Sequence, residues 1–254
     1  MSKEERINVW KDTLNKANSY FEDECSSFLV EGDVEPITQF DPITEIEVIN
    51  QDCVEAVQDL HDCGYSTCLL NFASAKQPGG GVLTGASAQE EDLCRRSDLF
   101  LHLVGFSDLA RNFDIIPRDQ IYGTYTGWII YSPQVYFFKD KNYKYLSNEI
   151  ETDVISCAAL NRKYSEPKNG WKKETKRRMR NILRIAYRNG RDALILGAWG
   201  CGAFKNPPEE IAKWWHEVID EIEFHNRFKK IVFAILNDNN SVSNNYEVFK
   251  KEFE

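Results

Sequence analysis

Gln89, Glu90 and Glu91 are consecutive, and Gly79, Gly80 and Gly81 precede them by seven intervening residues, in the stretch "NFASAKQPGGGVLTGASAQEEDLCRRSDLF" that runs from Asn71 to Phe100. Adjacent carboxyl groups can do acid–base chemistry. Glycines let a backbone come close to a phosphate, and helix N-termini offer N–H donors and a favourable dipole. Neighbouring helical residues point about 100° apart, so the two acids are not expected to share one job. A carboxyl at the edge of an apolar cleft has its pKa raised by loss of water, which suits a group that protonates a glycosidic leaving oxygen. The plainer alternative is that first-turn acids serve the helix dipole on a solvated face.

A second glycine-rich junction, Gly197 to Asn206, follows another apolar run. In α/β folds ligands bind outside the carboxyl ends of the strands, so two such loops are expected to lie on one side of a sheet and to clamp a diphosphate. A single GxG would more simply serve a tight turn; three glycines matched by a second loop favour the phosphate. Neither nucleotide fingerprint is met. The Walker-type GxxxxGK is absent, and Gly79 to Thr84 breaks GxGxxG at its last position. Cys94 beside Arg95 and Arg96, and Cys201 in the second loop, have no histidine placed to make either a nucleophile. His61, Cys63 and Cys68 are too irregularly spaced for zinc, and no metal site is expected.

The elements that must position these residues follow from periodicity. Ile7, Trp10, Leu14, Ala17 and Phe21 mark an amphipathic helix. "ITEIEVIN", "CVEAVQDLHDCG" and "TCLLNFA" read as strand, helix and strand, a parallel unit with the helix closed by Gly64. "SAQEEDLCRRSDLFLHL" reads as a helix capped by Ser87. "GWIIYSPQVYFF" and "ETDVISCAAL" read as strands, with Pro133 marking an edge or bend. "ETKRRMRNILRIAYRNG" is a helix with Met179, Ile182, Leu183, Ala186 and Tyr187 on one face and Gly190 at its end. Its other face is basic, with Lys172, Lys173, Lys176, Arg177, Arg178, Arg180 and Arg184 forming either a solvated face or a contact for a polymer of phosphates. In "DALILGAWGCGAFKNPPEEIAKWWHEVIDEI" a strand and glycine turn lead to a helix capped by Asn206, with Ile211, Trp214, Trp215, Val218, Ile219 and Ile222 as its buried stripe. "KIVFAIL" is a last strand and "NNYEVFKKEF" a last helix.

This alternation indicates α/β architecture with helices on both faces of a largely parallel sheet. The 254 residues carry 42 % hydrophobic and 28 % charged residues, the profile of a folded globule, and a net charge of −9, which repels polyanions except where a local site overrides it. Seven cysteines at irregular spacing, a charged start and no long apolar run predict an intracellular protein, cytoplasmic or nuclear, with reduced thiols and no membrane span.

The residues resemble the microbial-type poly(ADP-ribose) glycohydrolases, a branch of the macrodomain superfamily whose signature is GGG, six to eight residues, then QEE. The likeness extends through "IYSPQVYFFKD" and "LGAWGCGAFKNPPEEIA", and covers most of the chain from about residue 43. It implies a three-layer α/β/α macrodomain-like sandwich with a central mixed sheet as the catalytic domain (41–254), and the amphipathic helix ahead of it reads as an N-terminal helical extension packed on the body (1–40). It further implies cleavage of the ribose–ribose bonds of poly(ADP-ribose), with ADP-ribose as product and no cofactor. Glu91 would be the acid that protonates the leaving ribose oxygen and later activates water, and Glu90 would position the neighbouring ribose. Gln89 completes the signature and is a candidate substrate contact. Gly79, Gly80 and Gly81, with Gly200, Cys201, Gly202, Ala203 and Phe204, would hold the diphosphate. Phe204 either stacks near the distal ribose or packs in the core. Asn71 is a candidate ribose contact. Asp52 is either an adenine contact or an exposed turn aspartate. Ser74 stands where many relatives carry a second Asn, and Lys205 where a glycine is common. Two other functions share the pocket: a reader that binds ADP-ribosylated partners without cutting, and a hydrolase of mono-ADP-ribosylated protein or nucleic-acid bases. ADP-ribosylated macromolecules are the expected partners, with no membrane and no direct nucleic-acid partner.

Overall fold

Ser2 caps helix α1 (Lys3–Ala17): its hydroxyl accepts from the Glu5 N–H at 3.2 Å, and its own N–H donates to the Glu5 carboxylate at 2.5 Å. This reciprocal pairing satisfies two backbone donors at the helix start. The computed structural model describes residues 1–19, 27–30, 32–37, 43–74, 76–104, 129–163, 169–236 and 244–254. Phe21 and the Gly127-Trp128 start of an expected strand lie outside them. The buried face of α1 is Trp10, Thr13 and Ala17, with Ile7 and Leu14 half-buried. Polar Thr13 belongs there because its hydroxyl donates to the Arg95 carbonyl at 2.5 Å.

Among the described residues seven strands, β1 (Phe28–Val30), β2 (Glu45–Ile49), β3 (Thr67–Phe72), β4 (Ile129–Lys139), β5 (Tyr145–Cys157), β6 (Ala193–Leu196) and β7 (Lys230–Ala234), form one sheet in the order β1-β4-β5-β3-β6-β7-β2. The pairs β2/β7, β7/β6 and β6/β3 are parallel; β1/β4 and β4/β5 are antiparallel. The sheet is therefore mixed. The strand, helix and strand read from 43 to 73 all form, but β2 and β3 are not neighbours, because β7 and β6 stand between them. The burial patterns account for this: β2 alternates in exposure and occupies an edge, whereas β6 and β7 are apolar runs suited to the interior.

The chain divides into two compact units, Met1–Gly32 with Asn71–Ala158, and Asp33–Leu70 with Ala159–Glu254. In the first, the expected long helix after the glycines is broken. Helix α3 (Gln89–Arg96) stops where Ser97 turns to extended backbone and bridges Phe137, and helical backbone resumes over 99–104. The Ser97 hydroxyl causes the break by donating to the Leu93 carbonyl at 2.8 Å and accepting from the Leu99 N–H at 3.2 Å. Ser87 is not the cap; Ala88 holds that position without a side-chain bond. Pro133 falls within a register shift between Ser132 and Val135, where Gln134 takes a positive φ of 52°. A residue with no N–H is tolerated at such an irregularity.

The second unit holds α2 (Cys53–Asp62), α4 (Trp171–Arg188), α5 (Pro208–Ile219) and α6 (Asn245–Phe253). Trp215 on α5 packs against Trp199 and Phe233, with ring centroids 6.1 and 6.3 Å apart. Asn206 is not the cap of α5. Pro207 is, and the Asn206 amide instead donates to the Leu160 carbonyl at 2.8 Å and the Gly200 carbonyl at 3.1 Å. Ile222 leaves the expected stripe and is 82 % exposed, because α5 ends at Ile219 and the helical period ends with it. The basic face of α4 is a seam of ion pairs. Arg180 meets Glu221, Arg184 meets Glu223, Arg177 meets Glu174 and Asp33, and Lys172 and Lys176 meet Glu217. Arg178 is buried against Glu174. No helix among the described residues is long and apolar enough to cross a membrane.

Candidate active site

The end of β3, the glycine loop and the start of α3 are tied together by the first-turn side chains of α3. The Gln89 carbonyl oxygen accepts from the Phe72 N–H at 2.8 Å, which anchors the helix start to the strand end. Glu90, buried to 2 % exposure, accepts from the N–H groups of Ser74 at 2.6 Å and Gly79 at 3.0 Å and from the Asn71 amide at 3.5 Å. Asn71 is held in turn by donating to the Ser156 hydroxyl at 2.9 Å. Glu91, 7 % exposed, accepts from the Gly81 N–H at 2.8 Å through Oε1. Its Oε2 is buried with no hydrogen-bond partner among the described residues.

The glycine triplet thus holds the acids. The Gly79 N–H goes to Glu90, the Gly81 N–H to Glu91, and the Gly80 N–H closes a turn onto the Gln77 carbonyl at 2.9 Å. Gly80 has a φ of +57°, and a Cβ built there would stand 2.3 Å from Glu91 Oε1 and 3.0 Å from Glu90 Oε2. Both carboxylates converge on this one residue. Only a residue without a side chain fits between them.

Burial pushes the Glu90 carboxyl up to about 8 from its ordinary 4.5, with the Glu91 charge adding to the shift and the donors from Ser74, Gly79 and Asn71 opposing it. The folded state then holds a proton between those two values that the unfolded chain does not. Stability should therefore fall as pH rises from about 4.5 to about 8. Melting temperatures of the wild type and Glu90→Gln across this range test the point: the difference between them should shift against the wild type with rising pH, and a constant difference would refute it. Cys94, fully buried behind the acids, has its thiol pushed well up by burial and by the charges of Glu90 and Glu91, and burial also raises that of Cys201. Neither thiol is disposed to be a thiolate nucleophile.

Asn71, Gly79, Gly80, Gly81, Gln89, Glu90 and Glu91 come together in the first unit. Asp52 lies in the second, where it is buried rather than exposed and caps α2, its Oδ1 accepting from the N–H groups of Val54 and Glu55 at 3.1 Å. The second loop is in the same unit as Asp52. Gly200 there has a φ of +78°, and a Cβ on it would lie 2.5 Å from the Ala159 Cβ. Cys201 is buried, Gly202 and Ala203 are exposed, and Phe204 is half-buried rather than part of the core. Lys205 adopts the left-handed φ of +59° that a glycine would take without strain. Ser156 was not identified from sequence, and nothing in the strand around it marks it as a partner of Asn71. Among the described residues no group of three metal-ligating side chains is present.

Residues 5–140 match the family described as microbial-type PARG, catalytic domain, where PARG is poly(ADP-ribose) glycohydrolase. Among solved structures, poly(ADP-ribose) glycohydrolase from Thermomonospora curvata is 26 % identical, with 98 % of this chain and 100 % of that one covered and a TM-score of 0.82. The same protein bound to the inhibitor ADP-HPD gives 25 % identity, the same coverage and a TM-score of 0.81. The Deinococcus radiodurans glycohydrolase in complex with ADP-ribose is 30 % identical over 99 % of this chain and 92 % of that one, with a TM-score of 0.73. No curated protein matches. The mixed sheet and its helices thus have the macrodomain-like α/β fold of these enzymes. With more than half of its length matched and the glycine triplet placed against the paired glutamates, the chain belongs to the microbial-type poly(ADP-ribose) glycohydrolase family.

Proposed function

We propose that the chain hydrolyses the ribose–ribose O-glycosidic bonds of poly(ADP-ribose) and releases ADP-ribose, with Glu91 as general acid and then general base. The observation that carries this reading is the asymmetry of the Glu91 carboxyl: Oε1 is fixed by the Gly81 N–H, while Oε2, beside the rigidly held Glu90, has no partner among the described residues. Glu91 gives its proton to the leaving ribose oxygen as the bond to the anomeric carbon breaks. The resulting carboxylate takes a proton from the water that adds to the oxocarbenium-like centre. Glu90, with three donors fixing it, orients the neighbouring ribose. Phosphate contacts are assigned to the Gly79-Gly81 loop and to residues 200–204. Because the triplet's N–H groups are engaged, the first loop would supply close backbone approach more than N–H donors. Asp52 is assigned to the adenine and Asn71 to a ribose.

Incubation with defined poly-, mono- and base-linked ADP-ribose substrates tests the reading by the ADP-ribose released. Release from the polymer is expected. Release from mono- or base-linked substrate alone would replace it with the corresponding hydrolase, and binding without release from any would make the protein a reader.

A further inference from the structure

Helix α1 presents Arg6, Trp10 and Thr13 at i, i+4 and i+7, one face of a helix, and each of the three reaches a different support of the paired glutamates. Arg6 Nε donates to the Gly85 carbonyl at 2.6 Å. The Lys3 carbonyl oxygen stands 2.6 Å from where a Gly85 Cβ would be, so the first turn of α1 rests on the end of the 3-10 turn Val82–Thr84. That turn closes through Gly85 N–H to the Val82 carbonyl at 3.2 Å and Ala86 N–H to the Gly81 carbonyl at 3.1 Å. Gly81 is the residue whose N–H holds Glu91. Trp10 packs edge-on against Phe100 with centroids 5.4 Å apart, and the same Phe100 ring stands 2.7 Å from a Cβ built on Gly79, whose N–H holds Glu90. Thr13 donates to the Arg95 carbonyl, and the Arg95 guanidinium donates to the Ala86 carbonyl. The helix is itself pinned by Lys139, buried on β4, whose Nζ lies 2.6 Å from Asp12 and 2.8 Å from the Thr13 hydroxyl.

We propose that this face of α1 is a positioning element for the two acids, with Arg6 setting Glu91 through Gly85 and Gly81. The proposal rests on the reading of Glu91 as the acid of the reaction. A positioning residue acts on the rate of the chemical step more than on substrate affinity or on global stability. Trp10 and Thr13 are too buried to test cleanly, whereas Arg6 is only partly buried.

The test uses the whole chain with Arg6→Ala, Arg6→Lys and Lys11→Ala, the last an exposed residue of the same helix. Four quantities are measured: kcat and KM on poly(ADP-ribose), the melting temperature, and amide hydrogen exchange at Gly79 and Gly81. Arg6→Ala should lower kcat about tenfold with KM within about twofold, and should speed exchange at Gly81. Arg6→Lys, which keeps a donor, should recover most of both, and Lys11→Ala should behave as wild type. Unchanged kcat and exchange in Arg6→Ala would overturn the proposal. So would a loss that lysine does not rescue and that accompanies faster exchange throughout the chain, since α1 would then be a general stabiliser. If the wild type releases no ADP-ribose the functional reading fails, and exchange at Gly81 still decides whether Arg6 positions the loop.

Discussion

Glu91→Gln should lower turnover of poly(ADP-ribose) by roughly a thousandfold or more while leaving ADP-ribose affinity within a few fold. The amide has the shape of the carboxyl, and its oxygen can still accept from the Gly81 N–H, now 2.8 Å from Oε1. What it lacks is a proton to give and a carboxylate to take one back. Parallel measurement of released ADP-ribose and of ADP-ribose binding separates the two properties, and turnover close to wild type would remove Glu91 from the mechanism. Glu90→Gln should also be severely impaired, for a different reason. One Glu90 oxygen accepts from Ser74 and the other from Gly79, so either orientation of the amide points a donor at a donor.

Gly80→Ala should be nearly as damaging although residue 80 does no chemistry. The added methyl would lie 2.3 Å from Glu91 Oε1 and 2.9 Å from Glu91 Cδ, so the carboxyl or the loop must move. A displacement of about 1 Å at a reacting group is enough for a loss on the order of a hundredfold in kcat. The positive φ adds a strain of about 1–2 kcal/mol for any L side chain. Gly64→Ala separates these contributions, since Gly64 has a φ of +82° with nothing within 4 Å of its would-be Cβ. Both variants should melt lower than wild type, but only Gly80→Ala should lose turnover. Equal and small effects on turnover would show that the acids do not depend on the space at Gly80.

The spacing of the glycine triplet and the Gln-Glu-Glu run was enough to read a candidate site and to recognise the family, because both features are local and both are punctuated by residues with few other uses. Where the triplet's N–H groups point was not legible. It depends on the Glu90 and Glu91 side chains turning back over the loop, a tertiary choice that periodicity does not carry. The expected caps Ser87 and Asn206 failed for a related reason: both are good N-cap residues by type, but Asn206 is taken by the Leu160 and Gly200 carbonyls, and α3 starts at Gln89, with Ala88 and not Ser87 in the cap position. The pairing of Asn71 with Ser156 joins residues 85 positions apart through the sheet, and neither residue announces the other. Element types were recovered because apolar period reports burial. Neighbour order was not, since β2 meets β7 rather than β3.

The ion-pair seam on α4 bears on how a polyanion finds this protein. Cations already matched to Glu217, Glu221, Glu223, Glu174 and Asp33 have little counterion-displacing capacity left to offer phosphates, and the whole chain carries −9. A protein that docks nucleic acid through a basic face loses affinity steeply as salt is added. Here the long-range field opposes the polymer, and added salt screens that opposition. Capture of poly(ADP-ribose) should therefore be nearly insensitive to ionic strength or improve with it. The polymer would then be recognised by close-range fit, one ADP-ribose unit at a time, and not drawn in by its charge.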